Sequence, residues 1–299
     1  MNHFCTISTK SHLFKTKALA DSLNKFNVHL HLLVVDEDEV LNKTEFITYY
    51  NLKFITKEIG LKLIAKYGNQ SDKLRWALKS VFMMHLLLQT KKIIYVDNDT
   101  YFYNNPSVLF DLLDTNNLLL TPHFYDINPN KNQNWLEANF KVGLYNAGFI
   151  GVNKNAINAL QWWSECCLYN IKKSYWRGLF DDQKYLDLFP ILFDDVMVLK
   201  HKGCNLAGWN YLWYKLDRKE NDIVEIDHKY PLIFIHFAAT SMIHFAKSAN
   251  FFNQEYLTYK ANLLKYNSAF INKRSYLKTY TVSVYVNFIK WKISRLLEG

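Results

Sequence analysis

The chain reads as an α/β domain, a central sheet with helices packed on it, followed by a helical extension at the C-terminus. Three observations predict this. The first hundred residues alternate short apolar, β-branched runs with helix-period segments. One run, Ile93 to Val96, empties abruptly into Asp97-Asn98-Asp99, as a buried strand does when it ends at a ligand crevice. From Phe251 onward Tyr, Phe, Trp and Lys interleave and acids become rare. The expected boundaries are therefore 1–250 for the main domain and 251–299 for the extension.

In chain order, Phe4 to Ser8 is a first strand and Leu13 to Phe26 an amphipathic helix with Leu19, Leu23 and Phe26 on one face. Val28 to Val35 is a second strand ending in Asp36-Glu37-Asp38. This is the order of a parallel βαβ unit. The Gly-x-Gly-x-x-Gly loop is absent, so a nucleotide needs other contacts. Thr6 and Asp36 are the candidates for base and ribose; for Asp36 a solvated strand end is an equal alternative. Ser71 is placed to cap a helix running to Leu88, with Arg75 and Lys79 four apart on one face. They are surface charges, or they point at a diphosphate, because this helix feeds the Asp-Asn-Asp strand.

Two carboxylates one residue apart at the end of a buried strand are costly unless something pairs with them. Three readings compete: a solvated turn, the nucleophile loop of a phosphotransferase of the haloacid-dehalogenase type, or a divalent-metal site. The second normally has Thr or Val two places after the second acid, where this chain has Tyr101. Asn105 and Pro106 then start a helix with Val108, Leu109, Leu112 and Leu113 apolar.

Leu118 to Thr121 is a further strand, followed by Pro122-His123, and Tyr125 to Asn134 is a surface loop. Asn146-Ala147-Gly148 precedes a strand from Phe149 to Val152. Gly148 lets the backbone approach a ligand, and Asn146 offers donor and acceptor together. Ala156 to Asn170 is a helix whose Trp162 and Trp163 read as core. In GLFDDQKYLD, Asp181 and Asp182 stand at an expected helix start, where the dipole alone is reason for a carboxylate; Pro190 is expected to end that helix. Val196 to Leu199 is a strand, and Gly203 to Asn210 is a loop in which Asn205 and Trp209 suit a sugar. Leu232 to Ile235 is the last core strand, ending in His236.

The chain has 299 residues, enough to bury a sizeable core, and carries 20 Tyr, 21 Phe and 8 Trp, which excludes a disordered chain. A net charge of +9 favours anionic partners. The four cysteines, Cys5, Cys166, Cys167 and Cys204, have no metal-site spacing and read as reduced cytosolic thiols. The N-terminus lacks a signal-peptide pattern, and no window has the apolar length of a membrane span. Thr281 to Leu297 reads as a basic, aromatic amphipathic segment suited to an anionic membrane surface, with a docked helix as the plain alternative.

Taken jointly, RWALKSVFMMHLL, IIYVDNDTYF, LLTPH, YNAGFIGV, GLFDDQKYLD, GCNLAGWN and FIHF resemble the GT-A fold glycosyltransferases, over about residues 4 to 240. The layout is similar to the retaining, family 8-like bacterial enzymes that decorate lipopolysaccharide. The resemblance implies a Rossmann-like mixed central sheet and a metal held by Asp97, Asp99 and His236, Mn²⁺ or Mg²⁺. It implies donor contacts from Asn98, Asn146 and Gly148, and Asp182 and Gln183 beside the anomeric carbon. Here His236 is followed by Phe237-Ala238-Ala239, without the Gly and Lys that often close the phosphate site, leaving Lys247 as a candidate. The implied substrates are a UDP-sugar and an oligosaccharide or lipid-linked glycan, with no nucleic acid. The implied location is the cytoplasm, at the inner face of the cytoplasmic membrane. Two other readings stay open: a phosphatase with Asp97 as nucleophile, and a non-catalytic glycan or nucleotide binder.

Overall fold

The computed structural model describes residues 2–39 and 44–272. The expected membrane-surface segment Thr281 to Leu297 lies outside the described residues. The strands are β1 (Asn2–Ser8), β2 (Val28–Val34), β3 (Ile47–Tyr50), β4 (Lys92–Val96), β5 (Thr100–Phe102), β6 (Leu118–Pro122), β7 (Tyr145–Asn153), β8 (Val196–Val198), β9 (Leu216–Arg218), β10 (Val224–Ile226), β11 (Tyr230–Pro231) and β12 (Phe234–His236). The helices are α1 (Leu13–Asn24), α2 (Glu58–Tyr67), α3 (Ser71–Ala77), α4 (Lys79–Leu86), α5 (Ser107–Leu112), α6 (Gln133–Lys141), α7 (Ile157–Tyr169), α8 (Phe189–Leu192), α9 (Ala239–Phe245) and α10 (Asn253–Tyr266).

Seven strands form the central sheet in the order β3-β2-β1-β4-β7-β6-β8. β1 pairs parallel with β2 and β4, while β7 runs antiparallel between β4 and β6. The sheet is thus mixed, and its near-continuous apolar strands follow from cover on both faces. One face packs Ile93, Tyr95 and Ile150 against α4 and α7 residues such as Phe82 and Trp163; the other packs Phe4, Ile94 and Phe149 with α1 and α5 residues such as Leu19 and Leu109. Trp162 and Trp163 lie within or against that first core, as their periodicity indicates.

Four local expectations change. The helix expected over 71–88 is two, α3 and α4, broken at Leu78. The break makes Lys79 the first residue of α4. The run ending in His236 does not join the central sheet: β12 pairs antiparallel with β5, His236 opposite Thr100. After Gln183 the chain forms a 3₁₀ turn, and Pro190 lies in the first turn of the following helix rather than ending one, because its missing N–H costs nothing there. Val108 is exposed, and Phe110 takes the inward position beside Leu109 and Leu113.

The described part of the 251–299 segment packs on the rest of the protein. Phe252, Tyr259 and Leu263 are buried in one cluster with Tyr101 and Phe237. α10 lies along α1, where Tyr266 Oη donates to Asp21 at 2.8 Å. Among the described residues no helix is long and apolar enough to cross a membrane.

Candidate active site

β4 ends at Val96, and the tight turn that follows leaves its two acids partly exposed, beside β1 and β7. The backbone fixes them. Asp97 N–H donates to Gly148 C=O at 2.9 Å, and Asp99 C=O accepts from Phe237 N–H at 2.7 Å. The first bond ties the motif to β7 and the second to β12. His236 therefore arrives opposite the acids, with Nε2 3.1 Å from Asp99 Oδ1 and 3.9 Å from Asp97 Oδ2. Ligand atoms of Asp97, Asp99 and His236 all lie within 4.8 Å of one another.

Gly148 keeps this point clear. A Cβ there would stand 2.8 Å from Asp97 Oδ2 and 2.8 Å from His236 Cε1. Any side chain would fill the space into which the three ligand groups converge. Asn146 sits two residues earlier on β7 and holds the imidazole from behind. Its Nδ2 lies 3.1 Å from His236 Nδ1 and donates to Asn205 Oδ1 at 2.9 Å, while its Oδ1 accepts from Gly148 N–H at 2.7 Å.

The charges are uneven. Burial alone would raise Asp99, but the charges of His236 and Lys15 hold its carboxyl well below the usual range. His236 would be lowered by burial, yet Asp99 and then Asp97 push it above its ordinary value. Lys15 Nζ stands 3.7 Å from Asp99 Oδ2, and Tyr95 donates to Asp97 Oδ1 at 3.0 Å.

Behind the motif lies a second acid. Lys79 Nζ is 3.1 Å from Asp182 Oδ2 and 3.5 Å from Asp97 Oδ1, with both the lysine and Asp182 side chains under 5% exposed. Its third contact is Ala147 C=O at 3.0 Å. Burial opposes the lysine's charge, but Asp182 and Asp97 outweigh it and keep Lys79 protonated. Asp182 is pushed up to about 6, chiefly by burial and against the pull of Lys79, with Asp181 and Asp97 adding repulsion. Asp182 is not a helix cap: the turn that follows has no side-chain cap, and the Asp182 carbonyl accepts from Trp163 Nε1 at 2.7 Å.

The other expected site residues divide. Asn98 is buried and donates to Ser8 Oγ at 3.1 Å, so it fixes the turn between the acids. Gln183 ties backbone together, accepting from Ala147 N–H and donating to Val142 C=O, each at 3.2 Å. Asn205 is wholly buried and donates to Pro122 C=O, so it supports Asn146 instead of facing the cleft. Trp209 does edge the site, its ring 5.3 Å from that of His236. Arg75 pairs with Asp72 at 2.6 Å, and its charge is also favoured by Tyr95 and Asp97. Thr6 lies wholly buried within β1, two residues short of its end, because the strand continues through Ser8. Asp36 is exposed and accepts from Lys10 N–H at 2.8 Å, which places it at the mouth of the β1–α1 loop. Lys247 is exposed beyond α9.

Sequence reading missed Lys15, Tyr95 and His123. Tyr95 had a signal: two residues before Asp97 on a strand, it must share that face. His123 stacks on Tyr125 with ring centroids 4.7 Å apart, and burial pushes it down to about 3. Lys15 had none, since only the tertiary path of α1 brings it to Asp99.

No protein-family model matches the chain. Two uncharacterized proteins of Bacillus subtilis (strain 168), YfnF and YfnD, are each 29% identical to it. The matches span 80% and 81% of this chain and 82% and 78% of theirs. Among solved structures, an active-site glutamine-to-glutamate mutant of LgtC is similar with a TM-score of 0.51 at 12% identity, covering 87% of this chain and 95% of that one. The apo-form glycosyltransferase GlyE in Streptococcus pneumoniae TIGR4 gives 0.53 at 14% identity, covering 89% and 63%. The bifunctional WbbM gives 0.50 at 12%, covering 94% and 51%. Identities this low speak to architecture alone. With its mixed seven-stranded sheet and these structural neighbours, the chain has the GT-A fold.

Proposed function

We propose that this chain is a divalent-metal-dependent glycosyltransferase. It moves a hexose from a nucleoside-diphosphate sugar, with UDP-sugars as the donor class, to a hydroxyl of a cell-surface glycan or lipid-linked oligosaccharide, with retention. The carrying observation is the convergence of Asp97, Asp99 and His236 within 4.8 Å at a point that Gly148 leaves clear. Two carboxylates and an imidazole fit Mn²⁺, or Mg²⁺. Such an ion, when bound, neutralises the donor diphosphate and stabilises it as a leaving group.

The chain's own residues supply the rest. Asn146 orients the imidazole, as metal-ligating histidines require. Lys79 is a fixed cation at the inner wall and adds to the attraction for an anionic donor. Asp182, held by Lys79, places negative charge where a positive anomeric centre would develop, which is the larger kind of catalytic term in a water-poor site. Gln183 positions Ala147 and, through it, the β7 segment under the sugar. An active-site glutamine is the altered residue in the LgtC structure, and a glutamine stands beside the acid here. Trp209, beside His236, and Asp36, at the β1–α1 loop, are the further contacts of this reading, for the sugar and the ribose.

The test is turnover of a panel of nucleotide sugars with Mn²⁺, with Mg²⁺ and with chelator, read as nucleotide release. Donor and metal together should raise Tm by mass action, more than either alone. Anomeric coupling in the product's NMR spectrum reads retention. Phosphate release from simple phosphate esters, without nucleotide-sugar turnover, would instead favour the phosphatase reading. Donor binding without turnover would leave the chain a binder.

A further inference from the structure

The loop between α7 and Asp181 has no part in the chemistry above, yet its composition and exposure stand out. From Asn170 to Phe180 it carries Lys172, Lys173 and Arg177 and no acid. It doubles back on itself: Ser174 N–H donates to Leu179 C=O at 2.8 Å, and Leu179 N–H returns the bond to Ser174 C=O at 3.0 Å. Gly178, with φ +63°, makes the turn. The tip holds Trp176 and Tyr175, 80% and 58% exposed. Arg177 reaches back to Tyr169 Oη at 2.7 Å, which extends the aromatic face onto the end of α7, where Tyr169 is 63% exposed.

A tryptophan this exposed at a rigid tip forgoes burial that a core position would provide. The nearby rings do not explain it: Tyr175 stacks on Phe180, and Lys173 lies over Phe180, so the loop's internal packing leaves Trp176 outside. An indole flanked by tyrosine and by cations, with no acid among them, is the chemistry of an anionic bilayer interface. The rings settle at headgroup depth, and the cations meet the lipid phosphates.

The loop is also tied to the site. Lys173 Nζ pairs with Asp181 Oδ2 at 3.1 Å. Asp181 has φ +50° and is followed directly by Asp182. The base of the loop is thus anchored one residue from the buried acid that pairs with Lys79.

We infer that the 170–180 hairpin is a membrane-docking element that seats the cleft on an anionic bilayer, so that the acceptor is presented from a lipid. This rests on the glycosyltransferase reading for the acceptor, but the docking itself does not.

The experiment is co-sedimentation of the full chain with neutral phosphatidylcholine vesicles and with vesicles containing phosphatidylglycerol, without donor or metal. The wild type should bind the anionic vesicles and not the neutral ones. Each basic residue at a membrane surface is worth about 1 kcal/mol, so the double variant Lys172→Gln/Arg177→Gln should bind on the order of thirtyfold more weakly. Trp176→Ala should weaken binding as well. Both leave the untouched C-terminal segment in place, and both should keep the wild-type Tm and nucleotide-sugar hydrolysis. Absence of wild-type binding to anionic vesicles overturns the inference. So does unchanged binding by the hairpin variants, which would move any membrane contact elsewhere. Loss of transfer to a soluble glycan with unchanged vesicle binding also overturns it, and would make the tip a sugar platform. Failure of hydrolysis in all forms would count against the catalytic reading alone.

Discussion

Two clusters in this molecule offer the same ligand chemistry and differ in everything around it. Asp97, Asp99 and His236 converge at the edge of the central sheet; Asp217, Glu225 and His228 converge on the small β9–β10–β11 sheet. The second is almost automatic. Asp217 and Glu225 are direct cross-strand partners, so their side chains must share a face, and His228 follows in the adjacent turn with φ +53°. Lys219 already occupies Glu225 at 2.7 Å, and the histidine is exposed. The first cluster joins residues 137 positions apart across two separate strand pairings, clears its centre with a glycine and holds its imidazole from behind with Asn146. Nearness of acids and a histidine is therefore cheap, and the surroundings distinguish a site from a coincidence.

The largest expected contrast comes from removing one acid in each cluster. Asp99→Asn should lower metal-dependent turnover on the order of a thousandfold. Asp217→Asn should leave it within about twofold, because this partly exposed acid belongs to the other cluster. Nucleotide release at saturating Mn²⁺ measures both, and equal losses would erase the distinction.

Next comes the buried pair behind the first cluster. Asp182→Asn should lower transfer about a hundredfold while donor binding persists. It should also change the pH dependence of stability. The folded-state value of about 6 stands above the ordinary 3.8, so the folded protein holds this proton more tightly than the unfolded chain. That contribution is complete below about pH 4 and is lost as pH rises through 6. The Tm difference between wild type and variant should therefore shift in the variant's favour across that window. A pH-independent difference would assign Asp182 a charge already present at low pH.

The smallest effect tests the cleared centre. Gly148→Ala should weaken Mn²⁺ binding by about 10- to 100-fold, as changes beside metal ligands do, and cost about 1–3 kcal/mol from overpacking. Calorimetric titration of the metal and denaturant unfolding separate the two. Wild-type affinity in this variant would show that the ligands approach along another direction.

Much of this was legible in the residues. The β1–α1–β2 unit and the strand into Asp97 rest on local pattern, and local pattern survives folding; Asn146 and Gly148 stood out as residues, but the bond between them did not. His236 was found as a residue but not as part of the β5–β12 ladder, since three-residue strands carry too little periodicity to announce their partner. Lys79 shared a helical face with Arg75 on paper. The break at Leu78 sends Lys79 inward to Asp182 and Asp97, while Arg75, partly buried, pairs with Asp72 and still has its charge favoured by Asp97. Asn205 illustrates the converse: a polar loop residue suited to a sugar is spent inside the protein, because a buried amide network needs each of its members satisfied. Gln183 carries backbone bonds to Ala147 and Val142 that no sequence pattern announces, and Thr6 is wholly buried within β1.

The three-residue ladder between β5 and β12 also sets what kinds of sequence change the protein can absorb. Side chains alternate along a strand, so inserting or deleting one residue between Leu232 and His236 would turn the imidazole to the opposite face while every amino acid in the cleft stayed the same. Drift by substitution and drift by length are then very unequal here. The spacing from Leu232, whose C=O accepts from Asn104 Nδ2 at 2.6 Å, to His236 behaves as a fixed ruler.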